Sequence, residues 1–539
     1  MPDSQAEGII RYHEETKHHL DRYARSLGYM DWDNQPSPFR FYKGAPEVPL
    51  PLLSGDPPAG HLGLFEPGRP SAPLTLANVA GFLELSVGLS AWKAVSGGRW
   101  SLRMNPSSGN LHPTETHLVL PRMDGCGGGN YHYVPLQHVL ERRADLPDDL
   151  WQIMRSHFGA ESFLAGLTSI FWRESWKYGE RAFRYCNHDV GHALAALRFA
   201  ANLFGWRLTC LTGLSDDAVE TILGLRQARF PLRDEEHPDL LCAVDAGGQR
   251  PLPRTLPDDL VSAFAKIPFT GQPNALSRGH TDWEIIDRAT EFSRKPATPD
   301  EPLRLEKPAW ATADESKLSA AQIIRRRRSA TDFDRRKGIP RDHFLAMLDK
   351  TLPRDGMAPF DVGLGEPALH LLVFVHQVDG LPTGLYFLSR NDQDLADLRA
   401  LTSPEFLWEP VRPGFPLFLL RPGTFRQTAA RVSCHQDIAG SSAFSLGMLA
   451  RFEETVNREP FRYRHLFWES GMIGQVLYLE AEAHGVRGTG IGCFFDDAVH
   501  DLLGLSGHRY QSLYHFTVGH PLEDPRLTTL PPYDHLKNR

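Results

Sequence analysis

Residues 184–225 read RYCNHDVGHALAALRFAANLFGWRLTCLTGLSDDAVETILGL, and residues 464–505 read RHLFWESGMIGQVLYLEAEAHGVRGTGIGCFFDDAVHDLLGL. Set side by side at a constant shift of 280 residues they need no gap, and 14 of the 42 positions are identical. The identities include Gly191/Gly471, Gly205/Gly485, Arg207/Arg487, Thr209/Thr489 and the acidic pair Asp216-Asp217 against Asp496-Asp497. Agreement at glycines and paired acids is harder to reach by chance than agreement among common apolar residues, so the chain is read as a tandem duplication. Each copy predicts a helix, Gly191–Phe204 or Gly471–His484, then a glycine stop, a short loop and a second helix with an acidic first turn. An apolar strand closes each unit, Leu240–Val244 in the first and Leu513–Val518 in the second. Strands Thr116–Leu120 and His370–Val375 precede the units at matching places, with Tyr131–Tyr133 and Leu385–Phe387 as further short strands.

Two α+β halves follow, spanning 1–250 and 311–539. Between them 251–310 is rich in proline (Pro251, Pro253, Pro257, Pro268, Pro273, Pro296, Pro299, Pro302, Pro308), which suits a linker or a strap along the surface. A duplication joined in this way imitates a homodimer within one chain. Composition agrees with two globular domains: 539 residues, 41% apolar, 23% charged. The net charge of −8 gives no electrostatic reason to expect nucleic acid or an anionic membrane as partner. No apolar signal-peptide core opens the chain, and the longest apolar run, Leu369–Val375, is far too short to span a bilayer, so a cytoplasmic protein is expected. Six scattered cysteines form no CxxC pair and are read as reduced packing residues.

Four segments have the composition of a site. Pro106-Ser107-Ser108-Gly109-Asn110, ahead of a strand, gathers hydroxyls, an amide and approachable backbone, which suits a flat polar heterocycle; the plain alternative is a turn with no ligand. Arg325 to Arg328 with Ser329 offers guanidinium forks for a phosphate, or else a solvated basic helix end. Arg487-Gly488-Thr489-Gly490-Ile491-Gly492 lets backbone amides approach a ligand but lacks the spacing of a dinucleotide fingerprint. Lys177-Tyr178 places two proton-exchanging groups side by side, or else begins an amphipathic helix. His188 and His192 share a helical face without an evident third ligand, so no metal site is assigned.

Together these segments resemble the nitroreductase superfamily of flavin enzymes. With Tyr12 to His18, Asp31-Trp32, Gln35-Pro36 and Lys177-Tyr178-Gly179 they are most similar to its SagB-type dehydrogenases, the azoline oxidases, here in tandem form. The resemblance implies two tandem three-layer α+β domains joined as an intramolecular pseudo-dimer, with FMN bound at the seam. It further implies phosphate and ribityl contacts from Arg327, Arg328 and Ser329, ring contacts from Gly490, Ile491 and Gly492, and contacts from Pro106, Ser107, Ser108 and Asn110 of the opposite half. Thr331 stands where many members carry a second basic residue, and Arg526 is the candidate to replace it. Lys177 and Tyr178 are the implied catalytic pair for proton removal, a role that requires a lowered pKa from burial or a cation such as Arg181.

The duplication sharpens this. Gly490, Ile491 and Gly492 fall on Cys210, Leu211 and Thr212, Lys177-Tyr178 on Asn457-Arg458, and the second half has Gly363-Leu364-Gly365-Glu366 in place of the Pro-Ser-Ser-Gly-Asn loop. One complete FMN site and one degenerate site are expected. The implied reaction is oxidation of azolines to azoles in a ribosomal peptide, with a cyclodehydratase as partner enzyme; the alternatives are an NAD(P)H-dependent nitro or quinone reductase, and a flavin-binding or flavin-free scaffold.

Overall fold

A computed structural model describes residues 4–247, 252–299, 305 and 315–537. Two seven-stranded sheets dominate it. In spatial order the first runs Glu47–Pro49, Val139–Asp145, Gly129–Val134, Thr114–Leu120, Ser162–Ser169, His237–Asp245, Arg207–Cys210. The second runs Glu409–Pro410, Leu417–Pro422, Gly384–Leu388, Leu369–Val375, Phe444–Arg451, Tyr510–Gly519, Arg487–Ile491. Six strands of each sheet follow the same order along the chain, and the first edge strand differs: Glu47–Pro49 precedes the other strands of its sheet, whereas Glu409–Pro410 falls between Gly384–Leu388 and Leu417–Pro422. The likeness still extends well beyond the aligned 42 residues.

Each sheet is covered on both faces, which is why its central strands read as unbroken apolar runs rather than alternating ones. Leu371, Val373 and Val375 point into the core that the two halves share, whereas Leu372 and Phe374 point into an outer core under the helices of the second half. Leu118 and Val119 divide the same way in the first half. The period-two alternation therefore separates two apolar layers. No helix among the described residues is long and apolar enough to cross a membrane.

The expected helices from Gly191 and Gly471 begin nine residues earlier: they span Ala182–Leu203 and Arg462–Ala483 and cross one another at the seam. The two glycines are mid-helix, where helix propensity alone disfavours them. Their reason is the crossing: a Cβ on Gly191 would lie 2.1 Å from the Trp468 carbonyl oxygen, and one on Gly471 would lie 2.2 Å from that of His188. Reciprocal ion pairs flank the crossing. Arg184 reaches Asp496 at 2.7 Å, and its counterpart Arg464 reaches Asp216, the counterpart of Asp496, at 2.8 Å. This is the contact pattern of a two-fold dimer carried out inside one chain.

The termini cross the seam. The N-terminal helix Gln5–Glu15 lies on the second half, where His13 meets Gln511 at 3.1 Å. The C-terminal strand Thr528–Leu530 joins the first-half hairpin Leu89–Val95 and Gly98–Arg103, and the Tyr533 hydroxyl accepts the Leu89 N–H at 2.9 Å. The proline-rich segment is more than a surface strap. Its helix Asp258–Phe264 buries Leu260 and Phe264 in the first half's outer core, and its helix Glu284–Phe292 buries Ala289 beside the N-terminal helix. The boundaries at 250/251 and 310/311 lie outside the described residues.

Candidate functional site

The site is assembled where the first half's loop meets the second half's arginines. The helix Ala320–Arg326 is capped by Ser319 and stops at Arg327. Its last turn is exposed at Arg326 yet held by ion pairs: Arg325 meets Glu84 and Arg326 meets Glu482, both at 3.0 Å. Arg327 is buried and crosses the seam, donating to the carbonyls of Met104 (3.1 Å) and Arg103 (2.9 Å), just ahead of Pro106. Arg328 donates to the Ser90 carbonyl at 2.9 Å. Among the described residues neither Arg327 nor Arg328 pairs with a carboxylate. Burial, with Arg327 and Arg487 close by, lowers the Arg328 guanidinium to about 10. A buried and a half-buried guanidinium that meet backbone carbonyls but no carboxylate suit a phosphate.

Ser329 shares a 2.9 Å hydrogen bond with the Tyr478 hydroxyl, which also accepts the Gly490 N–H at 2.9 Å. The expected glycine loop is an edge strand, Arg487–Ile491, tied to the arginine segment through the Thr489 hydroxyl and the Ala330 carbonyl at 2.7 Å. Tyrosines cover both glycines. A Cβ on Gly490 would lie 1.9 Å from the Tyr514 hydroxyl, and one on Gly492 would lie 2.0 Å from the Tyr185 ring.

From the first half, the Ser107 hydroxyl accepts the His112 N–H at 2.8 Å, Asn110 donates to the Ser101 carbonyl at 2.9 Å, and Gly109, Asn110 and His112 all adopt positive φ. Lys177 and Tyr178 end the short helix Phe171–Tyr178 and lie over Gly109, whose Cβ position is 2.7 Å from the Tyr178 hydroxyl and 3.1 Å from the Lys177 ammonium. Tyr178 packs on Tyr185 at 4.4 Å, and Tyr185 in turn meets Gly492. The loop, the Lys-Tyr pair, the arginines and the glycine strand thus come together, with both halves contributing.

Three expectations are corrected. Burial, followed by the Glu174 carboxyl, pushes the Tyr178 phenol well above its ordinary value, so the condition for a base is not met there. Arg181 does not activate the pair, because it is held by Asp496 at 2.9 Å. Arg526 projects into solvent, 84% exposed, and pairs with Asp524 at 2.7 Å; among the described residues no hydrogen bond or ion pair joins it to Arg327, Arg328 or Ser329. His188 and His192 are packing residues of the crossing, stacked against or bonded to Tyr514.

Two carboxyls escaped the sequence reading. Asp189 accepts the N–H (3.1 Å) and hydroxyl (3.3 Å) of Ser108, and burial raises it to about 7. Glu174 is fully buried, and burial and Asp189 raise it far above the carboxylate range. Both oxygens of Glu174, Asp189 Oδ2, Asn105 Oδ1 and His112 Nδ1 are buried with no hydrogen-bond partner. Such a cluster of orphaned polar atoms around one loop calls for a polar ligand; its atoms are acceptors, with a proton on the raised Glu174 carboxyl as the donor, and they suit the N–H and carbonyl edge of a flavin ring as the arginines suit its phosphate. A signal for the carboxyls existed in the duplication, since Glu174 and Asp189 fall on Glu454 and Glu469 at the same shift.

The pseudo-symmetric position is a cavity of about 410 Å³ lined by Gly363, Leu364, Arg458, Glu459, Thr212 and Lys295. There Glu469 accepts the Ala368 N–H at 2.9 Å, as Asp189 does that of Ser108. The strap lines this cavity just past the strand Arg207–Cys210: Thr298 donates to the carbonyls of Thr212 (2.9 Å) and Gly213 (3.1 Å).

Comparison with known proteins gives the class. Residues 324–520 match the nitroreductase family, so the second half carries a nitroreductase family domain. A crystal structure of a protein assigned as a nitroreductase in Anabaena variabilis superposes with a TM-score of 0.66 at 21% identity, covering 96% of this chain and 99% of that one. A protein assigned as a nitroreductase in Methanocaldococcus jannaschii is 24% identical over 176 residues, which is 30% of this chain and 79% of the relative. The chain is an α+β protein of two tandem nitroreductase-like domains, paired as an intramolecular pseudo-dimer.

Proposed function

We propose that this chain is an FMN-dependent oxidoreductase that seats one FMN across its seam and oxidises azolines to azoles in a ribosomal peptide, acting beside a cyclodehydratase. The observation that carries the flavin reading is the junction of Arg327 with the Arg103 and Met104 carbonyls, which joins the second half's Arg-Arg-Ser segment to the first half's Ser-Ser-Gly-Asn loop. In this reading Arg327, Arg328 and Ser329 hold the phosphate and ribityl chain. Gly490, Ile491 and Gly492 face the ring with backbone, and Pro106, Ser107, Ser108 and Asn110 close over it. When bound, FMN supplies the two-electron acceptor. The remaining work falls to this chain's groups. Tyr178 stays protonated and donates a hydrogen bond, Lys177 sets local charge, and Asp189, poised near neutrality, is the group suited to take a proton through the Ser108 hydroxyl.

Flavin quantitation on purified, FMN-reconstituted protein tests the seat: one FMN per chain is expected, and two per chain refutes the single-site reading. Incubation with a thiazoline-containing peptide tests the reaction, with loss of two hydrogens per ring as the expected mass change. Rapid bleaching of the flavin by NAD(P)H, without peptide oxidation, would assign the nitro or quinone reductase activity instead. The tyrosines that cover Gly490 and Gly492 favour a rival, a flavin-free scaffold, which failure to take up any FMN would support.

A further inference from the structure

Cys434 follows the helix Arg426–Val432, and Cys493 follows the edge strand Arg487–Ile491. Two hydrogen bonds bracket them: the Phe495 N–H donates to the Val432 carbonyl and the Gln436 side chain donates to the Cys493 carbonyl, both at 2.9 Å. Cys434 and His435 are consecutive non-glycine residues in the left-handed region, with φ of 54° and 58°, a conformation kept only where the surroundings impose it. Both cysteines are partly exposed. Hydrogen bonding from Cys434, opposed by burial and reinforced by His18 and the Arg181 charge, brings the Cys493 thiol down to about 5, while Cys434 is pushed up. The other groups facing the pair are Tyr23, Tyr178, Tyr185 and Asp496.

A second thiol pair provides the contrast. Cys210 and Cys242 oppose one another across adjacent strands, with sulfurs 3.4 Å apart, but both are buried, and burial raises the Cys242 thiol. Both pairs sit on backbone segments hydrogen-bonded to one another, but partial exposure belongs to Cys434 and Cys493 alone.

We propose that Cys434 and Cys493 form a thiol–disulfide exchange site whose co-substrate is a small disulfide of the glutathione class. The Cys493 thiolate attacks one sulfur of the disulfide RSSR, forming a mixed disulfide and releasing RS⁻, which is protonated to RSH. Cys434 then loses its proton and attacks the Cys493 sulfur, releasing the second RSH. The dithiol gives up two electrons and two protons, and RSSR is reduced to two RSH. The site is independent of the flavin reading, since exchange needs only the two thiols.

The test uses the full chain, equilibrated with oxidised glutathione, quenched in acid, digested without reductant and analysed by mass spectrometry. A Cys434–Cys493 cross-link is expected, and Cys434→Ser should trap glutathione on Cys493. At pH 6 iodoacetamide should label Cys493 about tenfold faster than an ordinary thiol, because ~300-fold more thiolate is offset by a ~30-fold lower nucleophilicity. Absence of the cross-link under oxidising conditions, formation of a Cys210–Cys242 cross-link in its place, or no glutathione on Cys493 in Cys434→Ser would each overturn the proposal.

Discussion

Asp496 gathers Arg181, Arg184 and the backbone N–H of His18, and although burial alone would raise its carboxyl, the two guanidiniums hold it at about 2. Removing that charge leaves two buried cations without their partner. Asp496→Asn is therefore expected to cost about 3–5 kcal/mol in denaturant unfolding, and a loss below about 1 kcal/mol would show that the pair is dispensable. Since its folded pKa lies below the unfolded value of about 4, this contribution is present above pH 4 and fades as the pH falls towards 2. Asp189 behaves oppositely. Its folded value of about 7 lies above the unfolded one, so ionising it opposes folding, and stability falls as the pH rises from about 4 to about 7. Asp189→Asn should flatten that slope in a pH series of thermal melts; an unchanged slope would return the effect to other buried acids such as Asp239, which burial also raises to about 7.

At the scale of elements, the two long helices explain why glycine recurs at the same place in both copies. Gly191→Ala drives a Cβ into the Trp468 backbone, which cannot rotate away, and a loss of about 3 kcal/mol is expected, with Gly471→Ala alike. Gly485 ends the second long helix at a φ of 74° with open space around its Cβ position. Gly485→Ala should then cost only the backbone term, about 1–2 kcal/mol. Equal losses at Gly191 and Gly485 in chemical denaturation would contradict the account of the crossing. The glycine-rich edge strand is a different case, because the side chains of Tyr514 and Tyr185 occupy the space beside Gly490 and Gly492.

In the whole molecule the exchanged termini tie each half to the other. The C-terminal arm covers the first-half hairpin that leads into the Ser-Ser-Gly-Asn loop, through Thr528–Leu530 and the Tyr533 hydroxyl. Deleting residues 527–539 should lower both the unfolding midpoint and FMN uptake, as followed by fluorescence melts and by flavin release on denaturation. Uptake that survives intact would detach the arm from the site. The two pseudo-equivalent places differ in what lines them: one gathers the Ser-Ser-Gly-Asn loop, Glu174 and Asp189, whereas the other is a cavity to whose wall the strap contributes Thr298.

By itself the sequence determined the duplication, the strands that follow each repeated unit and four segments that the fold brings side by side, because glycine stops, acidic helix starts and apolar runs are local signals that survive in one dimension. It also showed where the two copies differ. Only the tertiary structure decided that Gly191 and Gly471 are contact points rather than helix starts, that Arg181 belongs to Asp496 and Arg526 to solvent, and that Tyr178 is held protonated. Those outcomes depend on which charge lies beside which and on how deeply each is buried, and such distances arise only when residues hundreds of positions apart are folded against one another.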